Sequence, residues 1–312
     1  MNDGNVVVAL DVGGTGMKCA LIRADGEVVH AERHPTEAGR GADAVIETVL
    51  AVADGLAGKA RADGHTPTAL GIVVPGVVDE PRGVAVWSAN VGFRDVPLRE
   101  LAAKRLGLPT ALGHDVRAGG LAEARIGAGR DAGHVLFVAI GTGIAAAHVV
   151  AGSAVTGAHG AAGELGHILV RPDGPRCGCG RRGCLETVAS ASAVARRYAE
   201  LGAAGTGRTT VTAAEVAARA ATGEELASRV WQEAVEALAD GLATGQALYD
   251  VETVVLGGGL AQAGAGLFDP LRAAMRDRLT FHREPRLVPA ALGDEAGCLG
   301  AALLALDQLE TR

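Results

Sequence analysis

The chain has 312 residues, 48% of them apolar, with 46 glycines, five cysteines and a formal net charge of 29 − 36 = −7. That length sets a prior of about two domains, and the apolar content excludes intrinsic disorder. The acid balance argues against a nucleic-acid or membrane-surface binder, which would carry a basic footprint. Four Phe, two Tyr and two Trp are the only aromatics, so the core must be built from Val, Leu, Ile and Ala with close backbone approaches.

The N-terminal stretch MNDGNVVVALD has no basic region and only a short apolar run before Asp11, unlike a signal peptide. No segment approaches the roughly 18 uninterrupted apolar residues of a membrane span. The chain therefore reads as cytoplasmic and soluble. Residues 6–11 form a first strand that ends in Gly13, Gly14, Thr15 and Gly16; runs at 19–23 and 28–32 complete a three-strand meander. Apolar positions at Val45, Val49, Val52 and Leu56 give residues 42–62 helical periodicity. A buried strand at 70–74, a helix at 97–106, a short strand at 109–113 and a helix after Asp115 follow.

Halfway along, the opening pattern returns. FVAIGTGIAAAHVV resembles ALDVGGTGMKCALI, and the two Gly-Thr-Gly turns lie 141 − 14 = 127 positions apart. Such a repeat predicts two similar halves facing each other. Helices are expected over 192–201, 213–221, 224–248 and around 267–279, strands over 251–256 and 287–290, and a closing helix over 297–309. A flexible loop is expected at 202–208.

Three cysteines fall within eight residues, as Cys177, Cys179 and Cys184, while Cys19 and Cys298 lie alone in apolar surroundings and read as small core residues. The cluster suits one metal ion rather than a disulfide in a cytoplasmic chain. Tetrahedral zinc needs a fourth ligand, and His167 in GELGHI is the nearest good candidate. Glu164, His167 and Glu186 around that knuckle suggest a polyol-binding wall, since carboxylates accept paired hydrogen bonds from vicinal hydroxyls.

The glycine turns are candidate phosphate contacts, because glycine lets backbone N–H groups approach anionic oxygens. They match neither the Gly-Lys-Ser/Thr phosphate loop nor the strand–turn–helix dinucleotide fingerprint. Gly13, Gly14 and Thr15, then Gly141, Thr142 and Gly143, and finally Gly257, Gly258 and Gly259 together point to a nucleotide cleft. Asp11 beside the first turn either holds the hydrated Mg²⁺ that accompanies ATP or bonds the turn's own N–H groups. Lys18 is a phosphate neutraliser or a solvated strand residue. Asp115, at a strand's C-terminal end, suits a general base for an attacking hydroxyl, and it can also cap the following helix.

DVGGTGMK, the PG at 75–76, the HD at 114–115, GTGIAAA, GELGHI and CGCGRRGCLE run in the order seen in ROK-family sugar kinases, and the chain resembles that family over essentially its whole length. The resemblance implies an α/β, actin-like and ribonuclease-H-like two-lobe ATPase fold with a zinc knuckle. Residues 1–115 would form a smaller N-terminal lobe, with a C-terminal helix at about 297–312 packing back on it. Residues 116–296 would form a larger lobe carrying the zinc site. Asp115 matches the family's catalytic base; Glu164, His167 and Glu186, and also Asn90, match sugar contacts; His167, Cys177, Cys179 and Cys184 match structural zinc ligands. The glycine turns match phosphate contacts, with Gly257, Gly258 and Gly259 on the adenosine side. ATP and Mg²⁺ are the implied nucleotide and ion, a small-molecule sugar the partner, and a homodimer or homotetramer the assembly.

Two departures stand out. His114 replaces the Asn that usually precedes the base and contacts sugar, and Ala145, Ala146 and Ala147 replace a glycine run, adding methyls near the phosphate path. The expected activity is phosphorylation of glucose at its 6-hydroxyl. The rivals are another hexose, an N-acyl amino sugar, or a sugar-sensing regulator with weak catalysis.

Overall fold

The computed structural model describes residues 4–202 and 211–310. The loop expected at 202–208 lies outside them except for Gly202, which ends a helix. The chain divides into two units: Met1–Ala122 with Ala154–Ala162 and Asp294–Arg312, and Glu123–Ser153 with Gly163–Gly293. The first thus takes in 116–122 and 154–162, beyond the boundary suggested at 115.

In the first unit, the opening apolar runs pair as an antiparallel meander of β1 (Asn5–Val12), β2 (Gly16–Ile22) and β3 (Val28–Pro35). The chain then crosses over through α1 (Ala42–Ala62) to β4 (Thr66–Val74), which lies parallel to β1, and through α2 (Leu98–Leu106) to β8 (Thr110–His114), parallel to β4. The sheet order is β3-β2-β1-β4-β8. Val45, Val49 and Leu56 of α1 are buried in its core, as their helical spacing requires.

Between β4 and α2 lies a small antiparallel sheet of β5 (Val77–Asp79), β6 (Val84–Ser88) and β7 (Phe93–Val96) that the sequence reading left without elements. Its strands have three to five residues, and their burial does not alternate cleanly, so the period-2 signal never develops. The terminal helix α9 (Ala296–Glu310) packs on β1, β4 and β8. Contact there is backbone-close: a methyl added at Gly71 of β4 would lie 2.0 Å from the Ala301 carbonyl oxygen.

The second unit repeats the plan. Strands β9 (His134–Ile140), β10 (Ile144–Val150) and β11 (Ser153–Ala154) form a meander, and β12 (Thr253–Gly257) and β13 (Arg286–Pro289) add in parallel on the other side, in the order β11-β10-β9-β12-β13. The similarity of the two glycine turns is therefore a similarity of whole sheets. Helix α3 (Asp115–Arg125) leads into this unit, and α4 (Glu186–Ala189), α5 (Ala191–Gly202), α6 (Ala213–Ala221), α7 (Glu225–Tyr249) and α8 (Ala265–Arg276) complete it. A capping box between Thr212 and Glu215 fixes the start of α6. The second core is built mostly from Val, Leu and Ala, with Trp231, Phe268 and Tyr198 as its aromatic members. Among the described residues no helix is long and apolar enough to cross a membrane.

Candidate active site and metal centre

In the first unit the parallel strands β1 and β8 end in carboxylates, where ligands bind in open α/β sheets. Asp11 is largely buried, and its carboxyl is raised to about 6, first by burial and then by the negative charge of Asp115. Lys18 on β2, paired with Asp11 across the strands, brings Nζ to 3.9 Å from Asp11 and 3.6 Å from Asp294. Asp294 is further held by Arg33 at 2.8 Å. Sequence reading missed Arg33 and Asp294, because 261 positions separate them and neither belongs to a motif. The first glycine turn satisfies itself without Asp11: Gly13 N–H donates to the Gly16 carbonyl at 3.0 Å, and the Thr36 hydroxyl donates to the Gly13 carbonyl at 2.6 Å. Asp11 is thus left facing Lys18 rather than the turn, and Asn90 backs against Gly14, where an added methyl would meet its Cβ at 3.0 Å.

Asp115 is the first residue of α3. Its Oδ1 accepts the Val116 N–H at 2.7 Å, which leaves Oδ2 for a ligand. Burial is the main cause that pushes this carboxyl above the ordinary range. His114 caps the helix: its Nδ1 accepts the Arg117 N–H at 3.3 Å and lies 3.4 Å from Asp115 Oδ1. The ring is buried, and burial followed by the Arg117 charge holds it down at about 4, so it is neutral at physiological pH.

In the second unit Gly141, Thr142 and Gly143 form the β9–β10 turn, with Gly141 N–H donating to the Gly143 carbonyl at 2.9 Å. Glu186 at the start of α4 turns its carboxylate onto it. Oε2 accepts the Ile144 N–H at 3.1 Å, and a methyl on Gly143 would lie 2.3 Å from that oxygen. Ser192, absent from the sequence-derived site, donates to the Thr142 carbonyl at 2.5 Å. Ala145, Ala146 and Ala147 do not line the turn. They are β10 residues paired with Ala139, Val138 and Phe137, and Ala146 and Ala147 are buried.

The segment carrying Glu164 and His167 lies on β10: Ala146 N–H donates to the Gly163 carbonyl at 2.8 Å. His167 faces two ways. Nδ1 lies 3.5 Å from Cys177 Sγ, and Nε2 lies 3.8 Å from Glu164. Cys179 and Cys184 sulfurs are 3.6 Å apart, and the four ligand atoms all lie within 4.8 Å of one another. A tetrahedral zinc with bonds of about 2.1–2.3 Å implies ligand–ligand edges of roughly 3.5–3.8 Å, so the donor set and its spacing fit that ion. Two turns build the knuckle, one at Gly180 and one at Gly183. Gly183 at φ +70° packs where a methyl would lie 1.5 Å from the Arg171 carbonyl oxygen. The Arg181 N–H beside Cys179, then the Cys177 thiol, pull Cys179 down to about 6, toward the thiolate that binds metal.

Gly257 ends β12, and Gly258 and Gly259 follow it. Gly258 has φ +84°, and Gly259 has open space around it. Gly259 borders a cleft of about 610 Å³ lined also by Leu260, Gln262, Ala213 and Trp231. Cys19 and Cys298 are buried as expected, but they are neighbours: burial and each other's proximity raise Cys19, and the Cys298 thiol donates to the Lys18 carbonyl at 3.2 Å.

A duplicated five-stranded α/β plan, with a glycine turn between the first two strands of each copy and carboxylates at the ends of β1 and β8, defines the actin-like, ribonuclease-H-like ATPase fold. Residues 7–308 match the ROK family model, and the chain belongs to that family. It is 34% identical to the glucokinase of Thermotoga maritima, across 97% of this chain and 98% of that protein. It is 32% identical to the N-acetylmannosamine kinase of Shigella flexneri, across 96% and 98%. The crystal structure of the ROK hexokinase from Thermus thermophilus superposes with a TM-score of 0.86 at 33% identity, covering 98% of this chain and all of that one.

Proposed function

We infer that this chain is an ATP-dependent sugar kinase that phosphorylates the 6-hydroxyl of a hexose, with glucose as its preferred substrate. The observation that carries the reading is Asp115: a carboxylate at the end of β8 with one oxygen bonded to Val116 and the other unpartnered among the described residues, its pKa raised by burial. A raised pKa makes it a stronger base for a hydroxyl proton. Asp115 takes that proton as O6 bonds to the γ-phosphorus, and the bond to the bridging oxygen breaks to release ADP. Phosphoryl transfer asks little more of the protein than positioning and charge compensation.

The other residues divide those tasks. Asp11 would hold Mg²⁺ through its waters, the ion neutralising phosphate charge when bound, with Lys18 adding a positive charge beside it. Gly13 and Gly141, whose N–H groups close their own turns, would shape the two loops, the backbone N–H groups of Gly14, Thr15, Thr142 and Gly143 would contact phosphates, and the cleft beside Gly257, Gly258 and Gly259 would take the adenosine. Asn90, His114, Glu164, His167 and Glu186 would bind the sugar. His167 serves twice, with Nδ1 toward the zinc set of Cys177, Cys179 and Cys184 and Nε2 toward Glu164. Zinc there would hold the knuckle rigid. Unpaired cysteines and ATP use support a cytoplasmic setting, and the expected assembly is a homodimer or homotetramer, which light scattering on the purified protein checks.

A second reading keeps the chemistry and changes the sugar. It is favoured by the N-acetylmannosamine kinase relative and by His114 at a sugar-contacting position. An ADP-coupled assay across hexoses and N-acyl amino sugars decides it. The expected result is the highest kcat/KM for glucose, and a higher value for an amino sugar replaces glucose. Sugar binding by calorimetry with no turnover on any member of the panel would point to a regulator instead.

A further inference from the structure

Behind the β8–α3 turn stands an ion pair that phosphoryl transfer does not itself use. Arg117 is 3% exposed. Its Nε and Nη2 both donate to Glu80 Oε1, at 3.0 and 2.8 Å, and its Nη1 donates to the Gly160 carbonyl at 2.9 Å. The same Glu80 oxygen accepts the His114 N–H at 3.4 Å. One guanidinium thus ties together the start of α3, the turn after β5 and the 154–162 segment. Gly160 is itself pressed on β5, for a methyl there would lie 2.3 Å from the Val78 carbonyl oxygen. Buried ion pairs are weak sources of stability, so a placement this costly calls for a positional explanation.

The consequence falls on His114. A ring nitrogen that accepts a backbone N–H carries no proton, so in the neutral ring the proton resides on Nε2. Nε2 has no protein partner among the described residues. A ring in that state donates and cannot accept, whereas an amide at the same place would do both. Asp115 Oδ1, 3.4 Å from Nδ1, is the one contact that would favour the opposite tautomer. The Arg117 backbone and charge oppose it.

We propose that Glu80 and Arg117 are positioning residues that lock His114 as a donor-only contact for a substrate hydroxyl and hold Asp115 beside it in register. The hydroxyl facing His114 must therefore be an acceptor in the complex, which narrows the range of sugars. The proposal rests on the reading of the Asp115 turn as the sugar site.

Two measurements on the full chain test it. Ring ¹⁵N shifts of His114, assigned by loss of its signals in His114→Asn, should report a protonated Nε2 and bare Nδ1, unchanged between about pH 5.5 and 8. In Arg117→Met the ring should gain some of the Nδ1-protonated tautomer and titrate at higher pH than in the parent protein, while burial still holds it below the ordinary imidazole range. A protonated Nδ1 in the parent protein, or a ring unchanged in Arg117→Met, overturns the lock. Kinetically, Glu80→Gln, which preserves shape, should lower kcat/KM for sugar about tenfold and leave KM for ATP unaltered. Arg117→Lys should recover part of what Arg117→Met loses. Equal losses for sugar and ATP, or melting shifts with unchanged kinetics, overturn the positioning role. Because the shifts need no turnover, failure of the kinase reading would show as an inactive parent protein with the lock still measurable.

Discussion

Asp11 and Asp115 end two strands of one sheet, and both carboxyls are raised by burial and, for Asp11, by the neighbouring charge. If Asp115 is the base, Asp115→Asn should cut kcat by about 10²–10⁴ while sugar KM stays within a few-fold, measured by the coupled assay. Its raised pKa also fixes a sign: activity falls as pH drops, and the fall begins above the ordinary carboxylate range. For Asp11 the stability argument runs the other way from a salt-bridged acid. The folded state holds the proton more tightly than the unfolded chain, so the ionised group opposes folding at pH 7, and stability is regained as pH falls through about 6 toward 4. A shift of about two units corresponds to roughly 3 kcal/mol. Asp11→Asn should therefore raise the metal-free melting temperature at pH 7 by about 5 °C and flatten its rise on acidification, while activity is lost. Asp11 and Asp115 were legible as strand-end carboxylates. Their mutual charge effect was not, because it depends on two strands 104 residues apart ending at one edge of a sheet.

Among the elements, α9 and the cysteine knuckle show how glycine is used. Gly71 sits where β4 meets the α9 backbone, with no room for a methyl; Gly71→Ala should destabilise by about 2–4 kcal/mol in chemical denaturation. Gly55, on the exposed face of α1, has nothing within 4 Å, and Gly55→Ala should stabilise by about 0.5–1 kcal/mol. The knuckle predicts about one zinc per chain in freshly purified protein. Cys184→Ser should lose the zinc and raise sugar KM roughly tenfold or more, with a smaller effect on ATP, read by metal analysis and kinetics. A zinc-free parent protein would remove that role from His167 and the cysteines. The β5–β7 sheet is the element the sequence hid, and it matters because Glu80 lies in its β5–β6 turn.

At the level of the whole molecule, the 127-residue offset between two Gly-Thr-Gly turns becomes a repeated sheet topology. Each copy carries a glycine turn between its first two strands, and the first copy adds carboxylates at the ends of β1 and β8. A ligand that binds only the folded kinase should stabilise it by mass action, so Mg-ATP with its sugar should raise the melting temperature more than either alone. The sequence by itself determined the strand–turn–strand units, the helical periodicities, the cysteine ligand set and the strand-end acids, because each depends on neighbours within a few residues. Tertiary structure alone decided which distant groups meet: Lys18 and Arg33 with Asp294, Cys19 with Cys298, Glu80 with Arg117, and His167 turned between thiols and Glu164. Those pairings follow from strand order and backbone-close packing, which no local pattern records.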